Sequence, residues 1–139
     1  MVEKNLVQTK LKELRDYVRQ LDRYQGITIE ELEESLEKTW SIERGLQLSI
    51  QLVLDVGGHI LSEEGVTVES YSEIIEELGK QDILPEKFAK NIKGMAGFRN
   101  ILVHDYLEVD LKLLVKLVNN NLSDFRKFAQ YILKYVKNE

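Results

Sequence analysis

The clearest helical pattern in this chain is in residues 110–136, which read DLKLLVKLVNNNLSDFRKFAQYILKYV. The apolar residues recur every three or four positions, as they do when one face of an amphipathic helix packs on a core. Asp110 has the residue type that caps a helix N-terminus. The stretch therefore predicts a long C-terminal helix.

The same periodicity appears in four further stretches, which are residues 6–26, residues 28–62, residues 70–79 and the segment that begins at Pro85. Thr28 and Ser70 are each followed three positions later by a glutamate, which is the pattern of a capping box. We predict an all-α fold, an antiparallel up-and-down bundle of about five helices in a single domain over residues 1–139. Long amphipathic helices in a small chain often bury apolar surface against a second copy, so we also expect a homodimer.

Length and composition limit the class of protein. The chain has 139 residues, one proline, no cysteine and a formal net charge of −5 at pH 7, which fits one globular domain. The sequence has no apolar run long enough to cross a membrane, and its N-terminus lacks the apolar segment of a secretory signal. The absence of cysteine fits a reducing compartment. We therefore expect a cytoplasmic protein without a membrane partner.

Charge is distributed unevenly along the chain. Lys87, Lys90 and Lys93 precede Arg99 with only Glu86 of opposite sign among them. A local basic site of this kind can attract RNA despite the net negative charge. The alternative is that these lysines only form a solvated helix face.

The chain contains two histidines, His59 and His104. Asp55 and His59 lie four apart and would share a helix face, which permits a fragment of a metal site. A structural contact in which Asp55 orients or pairs with His59 is the more ordinary interpretation. We predict no bound metal and no cofactor.

Residues 98–106 read FRNILVHDY and carry the polar groups best suited to chemistry. If the stretch is helical, Asn100 lies one turn before His104 and Arg99 lies two turns before Tyr106, so these side chains share half of the helix surface. Histidine exchanges protons near neutral pH, and arginine can hold two phosphate oxygens. The set suits cleavage of an RNA phosphodiester without a metal.

Two questions remain open from these residues alone. A purely structural role would require every buried member of the set to find a hydrogen-bond partner. A catalytic role would need both an acid and a base, whereas the stretch supplies one histidine. A twofold dimer would bring a second copy of His104 to the same site.

The motif Arg99-Asn100-x-x-x-His104 resembles the motif of the HEPN superfamily, whose ribonuclease members carry an arginine a few residues before a histidine. With Tyr106 it is similar to the Arg-x4-His-x-Tyr form of HepT toxins from type VII-like HepT/MntA toxin–antitoxin systems. The resemblance extends to residues 42–50 and 54–60, which are similar to the family's long second helix, and to residues 71–78, which are similar to its short third helix.

The resemblance implies a helical homodimer with a composite, metal-independent endoribonuclease site that faces the dimer axis. In that site Arg99 and His104 would be catalytic and Asn100 would support them, with RNA, for example tRNA, as the substrate. Tyr106 matches the tyrosine that a cognate MntA-type minimal nucleotidyltransferase antitoxin modifies with AMP. A bulky anionic nucleotide at that position would block RNA and repel its phosphates.

Two other functions compete with the ribonuclease toxin. The first is a non-catalytic helical dimer that binds a nucleotidyltransferase and in which Tyr106 is only a target of modification. The second is a structural bundle in which Arg99 and His104 belong to a satisfied polar network.

Overall fold

The computed structural model describes residues 3–104 and 110–138, with side chains up to Leu102 and from Asp110 onward. This part of the chain forms eight helices: α1 (Lys4–Asp22), α2 (Ile29–Glu34), α3 (Leu36–Glu63), α4 (Tyr71–Lys80), α5 (Glu86–Ile92), α6 (Met95–His104), α7 (Leu111–Asn120) and α8 (Leu122–Lys137). The prediction of an all-α fold is confirmed. Within the described ranges no helix combines the length and apolar character needed to cross a bilayer.

The described segments contain eight helices rather than about five because three of the expected helices are interrupted. Ser35 leaves the helical conformation between α2 and α3 (φ −139°, ψ 102°), and its hydroxyl accepts a hydrogen bond from the Lys38 N–H. Asn121 divides α7 from α8, and Gly94 lies between α5 and α6. The apolar spacing continues across these breaks, whereas a serine hydroxyl competes locally for backbone donors and ends a helix.

The predicted helix starts at Thr28, Ser70 and Asp110 are confirmed. Thr28 Oγ1 accepts a 3.2 Å hydrogen bond from the Glu31 N–H, and Ser70 Oγ accepts one of 3.3 Å from the Glu73 N–H. Asp110 Oδ1 accepts a 3.0 Å hydrogen bond from the second backbone N–H of α7. Each cap satisfies a donor that has no partner within its own helix.

The longest helix, α3, packs against α1, α4 and α6. Two glycines allow close approach: a Cβ at Gly45 would lie 2.7 Å from Leu21 of α1, and a Cβ at Gly57 would lie 2.8 Å from Ile74 of α4. Buried apolar side chains of these helices and of α8 form one continuous core. The core holds α6, with Arg99, beside the middle of α3.

Candidate functional site around Arg99

Helix α6 positions Arg99 at the boundary between the core and solvent. Ala96 is buried, and Phe98 and Leu102 pack against the core from the same helix. These contacts leave Asn100 and Ile101 exposed and Arg99 half-buried. Helical spacing of apolar residues thus determines which polar side chains can meet a ligand.

Arg99 makes a hydrogen bond to the central helix. Its Nε donates to Gln51 Oε1 at 2.9 Å, and Gln51 Nε2 donates in turn to Asp55 Oδ1 at 2.8 Å. Gln51 and Asp55 lie four apart on α3 and therefore share one face of that helix. The result is a chain of hydrogen bonds from the surface carboxylate to the half-buried guanidinium.

Two further side chains contact the Arg99 guanidinium. Its Cζ lies 4.8 Å from the centroid of the Tyr71 ring at the start of α4, a cation–π distance. Its Nη1 donates a 3.2 Å hydrogen bond to Asn100 Oδ1. Asn100 and Tyr71 also line a surface recess of about 390 Å³ together with Ser70 and Ile74.

The predicted partners of Arg99 are on the same helix, but the structure covers them only in part. His104 is the last residue of α6, so the expectation of a helix through Arg99, Asn100 and His104 is confirmed for the backbone. The His104 side chain and all of Tyr106 lie outside the described residues. Their predicted roles therefore remain predictions.

The three predicted RNA-binding lysines lie on or next to α5. Lys90 Nζ is 3.4 Å from Glu86 Oε1, and Lys93 forms an ion pair with Glu76 of α4. The hydrogen bond from Lys93 lowers the pKa of the Glu76 carboxyl below its ordinary value. Only Glu86 opposes these lysines along the sequence, and the fold brings a second carboxylate, that of Glu76, to Lys93. Lys87 is exposed.

The structure does not pair Asp55 with His59. Asp55 accepts a hydrogen bond from Gln51, while His59 Nε2 is buried without a hydrogen-bond partner among the described residues. The expected contact between them is therefore wrong, since Asp55 belongs to the chain that ends at Arg99. Within residues 3–104 and 110–138, no three His, Asp or Glu side chains converge as a metal site would need.

Gln51 and Tyr71 were not among the predicted site residues. Gln51 precedes Arg99 by 48 positions, and a single glutamine on a long helix carries no signal of what it contacts. Tyr71 opens a short helix that the capping pattern locates correctly, but only the packing of α4 against α3 and α6 brings its ring to Arg99. No local motif in the sequence indicates either contact.

Comparison with known proteins identifies the family of this chain. A family model described as "Ribonuclease HepT-like" matches residues 14–132. A tRNA nuclease HepT of Aphanizomenon flos-aquae is 30% identical over 137 residues, which is 97% of this chain and 92% of that protein. An mRNA nuclease HepT of Shewanella oneidensis is 30% identical over 93 residues, which cover 66% of this chain and 70% of that protein.

Solved structures share the fold. A tri-AMPylated Shewanella oneidensis HEPN toxin in complex with MNT antitoxin superposes with a TM-score of 0.83 at 22% identity, covering 99% of this chain and all of that one. The cytosolic protein YutE of Bacillus subtilis superposes with a TM-score of 0.85 at 20% identity, covering 99% of this chain and 92% of that one. The fold agrees with the family model and with the relative that matches nearly the whole chain: this chain belongs to the ribonuclease HepT-like family.

Proposed function

We propose that this chain is a metal-independent endoribonuclease that acts as the toxin of a HepT/MntA-type toxin–antitoxin system in the cytoplasm. The observation that carries the proposal is the half-buried Arg99 on α6, the helix that ends at His104. Its guanidinium is held by Gln51, Tyr71 and Asn100. A guanidinium held in one orientation suits the stabilisation of charge that develops on a phosphate.

The proposed reaction is transfer of the scissile phosphate to the neighbouring ribose hydroxyl. The 2′-oxygen attacks phosphorus as it loses its proton, and the 5′-oxygen leaves as it gains one. The products are a 2′,3′-cyclic phosphate and a 5′-hydroxyl. His104 moves these protons, Arg99 stabilises the phosphate charge, and Asn100 supports Arg99 through the contact to Nη1.

The active form we propose is a homodimer. Leu36 and Trp40 of α3 lie one helical turn apart and are 67% and 63% exposed, so they present apolar surface side by side. Trp40 follows Leu36 by four positions, and Gln51 follows Trp40 by eleven. Both spacings return to the same face of a helix, so this side of α3 continues towards the Arg99 site. A second copy of the chain bound to this side of α3 would cover the apolar residues and bring a second His104 to the same cleft.

The substrate we propose is RNA, and the partner a minimal nucleotidyltransferase. Two relatives are a tRNA nuclease and an mRNA nuclease, so the experiment must distinguish tRNA from mRNA as the substrate. The Shewanella toxin of similar fold carries AMP groups and is bound to an MNT antitoxin. By analogy, Tyr106 is the residue that we propose is modified with AMP, which places a bulky anion beside the site and repels RNA.

The test is incubation of wild-type protein with separate tRNA and mRNA samples in EDTA, followed by gel and end-group analysis. We expect cleavage by the wild type that leaves 2′,3′-cyclic phosphate ends, and none by His104→Ala. The matched control is His59→Leu, which removes the other histidine of the chain and should retain cleavage. Equal cleavage by wild type and His104→Ala, both folded, would contradict the proposal.

A second experiment addresses the antitoxin. Incubation with the cognate nucleotidyltransferase and ATP should add AMP to Tyr106, as located by peptide mass spectrometry, and should stop RNA cleavage. Tyr106→Phe should accept no AMP at this position. Modification that leaves cleavage unchanged would contradict the proposed mode of neutralisation.

A further inference from the structure

Three helices bring side chains to the single guanidinium of Arg99. Gln51 comes from α3, Tyr71 from α4, and Arg99 itself from α6. We propose that Gln51 and Tyr71 are positioning residues that orient Arg99 before RNA binds, and that Asp55 orients Gln51. The inference rests on the ribonuclease activity proposed above and identifies residues that act through Arg99.

The donor and acceptor atoms of these hydrogen bonds explain the role of Asp55. An ionised carboxylate can only accept hydrogen bonds, so Asp55 Oδ1 selects the amide nitrogen of Gln51 at 2.8 Å. That choice turns Gln51 Oε1 towards Arg99 Nε, which can only donate. The opposite orientation of the amide would place its NH₂ group against another donor. Asp55 therefore sets which atom Gln51 offers to the arginine.

Tyr71 holds the guanidinium from a second direction. Its ring lies 4.8 Å below Arg99 Cζ and is itself fixed as the first residue of α4. Ser70 caps that helix, and Ile74 packs it closely against Gly57 of α3. The ring restricts the plane of the guanidinium, while the Gln51 bond restricts its rotation within that plane.

A preoriented arginine has a catalytic advantage. The side chain of arginine is long and has many rotamers, so holding it in place before the substrate arrives removes an ordering cost from the reaction. Arginine has five N–H donors, and Gln51 and Asn100 take two of them through Nε and Nη1. We assign the other three N–H groups, on Nη1 and Nη2, to the RNA phosphate.

The first test measures Arg99 without relying on activity. Hydrogen exchange of the Arg99 Nε–H is followed by NMR in the full-length protein, and its signal is assigned by its loss in Arg99→Lys. We expect slow exchange in the wild type and several-fold faster exchange in Gln51→Met and Tyr71→Leu. Asp55→Ala should also make exchange of the Arg99 Nε–H faster. Tyr71→Phe keeps the aromatic face, so exchange of the Arg99 Nε–H should stay as slow as in the wild type.

The second test measures RNA cleavage by the same variants. Gln51→Met should lower kcat by about 10- to 100-fold, the size expected when a catalytic group is displaced, with a smaller change in KM. The matched control is Gln130→Met, the same substitution on an exposed face of α8. A merely structural role would change the melting temperature and leave kcat and the Arg99 exchange rate unaltered.

The two tests separate this inference from the proposed function. Faster Arg99 exchange together with lower kcat in Gln51→Met supports the inference. Unchanged exchange in Gln51→Met and Tyr71→Leu overturns it, whether or not the protein cleaves RNA. If the wild type cleaves no RNA, the proposed function fails, and the exchange measurement still decides whether Gln51 and Tyr71 position Arg99.

Discussion

The Nε of Arg99 on α6 donates a 2.9 Å hydrogen bond to Oε1 of Gln51 on α3, 48 positions earlier in the chain. This bond fixes one edge of the guanidinium by contact with the central helix. Nη1 also donates to Asn100 Oδ1, and we expect the remaining N–H groups, on Nη1 and Nη2, to contact the RNA phosphate.

The first prediction concerns the shape of the cation at residue 99. Arg99→Lys keeps the positive charge but removes both the Nε donor to Gln51 and the planar fork that suits two phosphate oxygens. We expect kcat/KM for RNA cleavage to fall by about 100-fold or more, with circular dichroism unchanged. Retention of wild-type kcat/KM would show that charge alone suffices at this position.

The second prediction concerns the contact between α3 and α4. A Cβ at Gly57 would lie 2.8 Å from Ile74 Cγ2 and 2.9 Å from Leu78 Cδ1. Gly57→Ala should therefore lower the free energy of unfolding by about 1 kcal/mol or more, because overpacking outweighs the gain in helix propensity. Urea denaturation measures the effect.

The neighbouring glycine provides the matched control for that measurement. A Cβ at Gly58 would have its nearest contact at 3.5 Å, to Ile74 Cδ1, which is an ordinary van der Waals distance. Gly58→Ala should raise the free energy of unfolding by about 0.5–1 kcal/mol. The same sign of change in both variants would refute the proposed close approach at Gly57.

The third prediction concerns a contact between distant turns. Asn119 of α7 accepts a 2.6 Å hydrogen bond from the Gly26 N–H and donates one of 3.2 Å to the Ile27 carbonyl. Gly26 has φ of +89°, so the turn after α1 holds a conformation that favours glycine. Asn119→Ala should lower the free energy of unfolding by about 1–3 kcal/mol, measured by thermal or urea denaturation.

Asn120 is the matched control for Asn119 because it has the same side chain one position later and is exposed. Asn120→Ala should change the free energy of unfolding by no more than about 0.5 kcal/mol. Equal effects of the two substitutions would mean that the paired hydrogen bonds to the turn do not contribute to stability.

The fourth prediction concerns pH. The hydrogen bond from Lys93 lowers the pKa of Glu76 in the folded state below its ordinary value. A lowered pKa means that Glu76 stabilises the fold above its unfolded pKa, and that this contribution is lost as pH falls through the folded pKa. Wild type should therefore exceed Glu76→Gln in melting temperature at pH 7, and the difference should shrink as pH falls through the folded pKa of Glu76. A difference that is constant with pH would contradict the ion pair.

Local patterns predicted the helices and their caps. Thr28, Ser70 and Asp110 each cap a helix where the sequence places one, since a cap depends on residues within one turn. The interruption at Ser35 was not predicted, because the apolar spacing continues through it. Its position follows from a hydroxyl that bonds the backbone in a non-helical conformation.

The candidate site was predictable to a different extent. Arg99, Asn100 and His104 are close in sequence and lie on one helix, so helical geometry alone places them together. Asp55 was assigned to His59 because both are on α3, yet its hydrogen bond leads to Gln51 and hence to another helix. Contacts between helices depend on how the helices pack, and this packing cannot be predicted from the spacing of residues along one helix.

The helical class, the capped helix starts and the motif around Arg99 can be read from the amino-acid sequence, because each depends on interactions among residues a turn or two apart. The contacts of Gln51 and Tyr71 with Arg99, and of Glu76 with Lys93, became evident only from the folded chain. Such pairs form where helices pack against one another, and glycines such as Gly57 set how closely the helices approach.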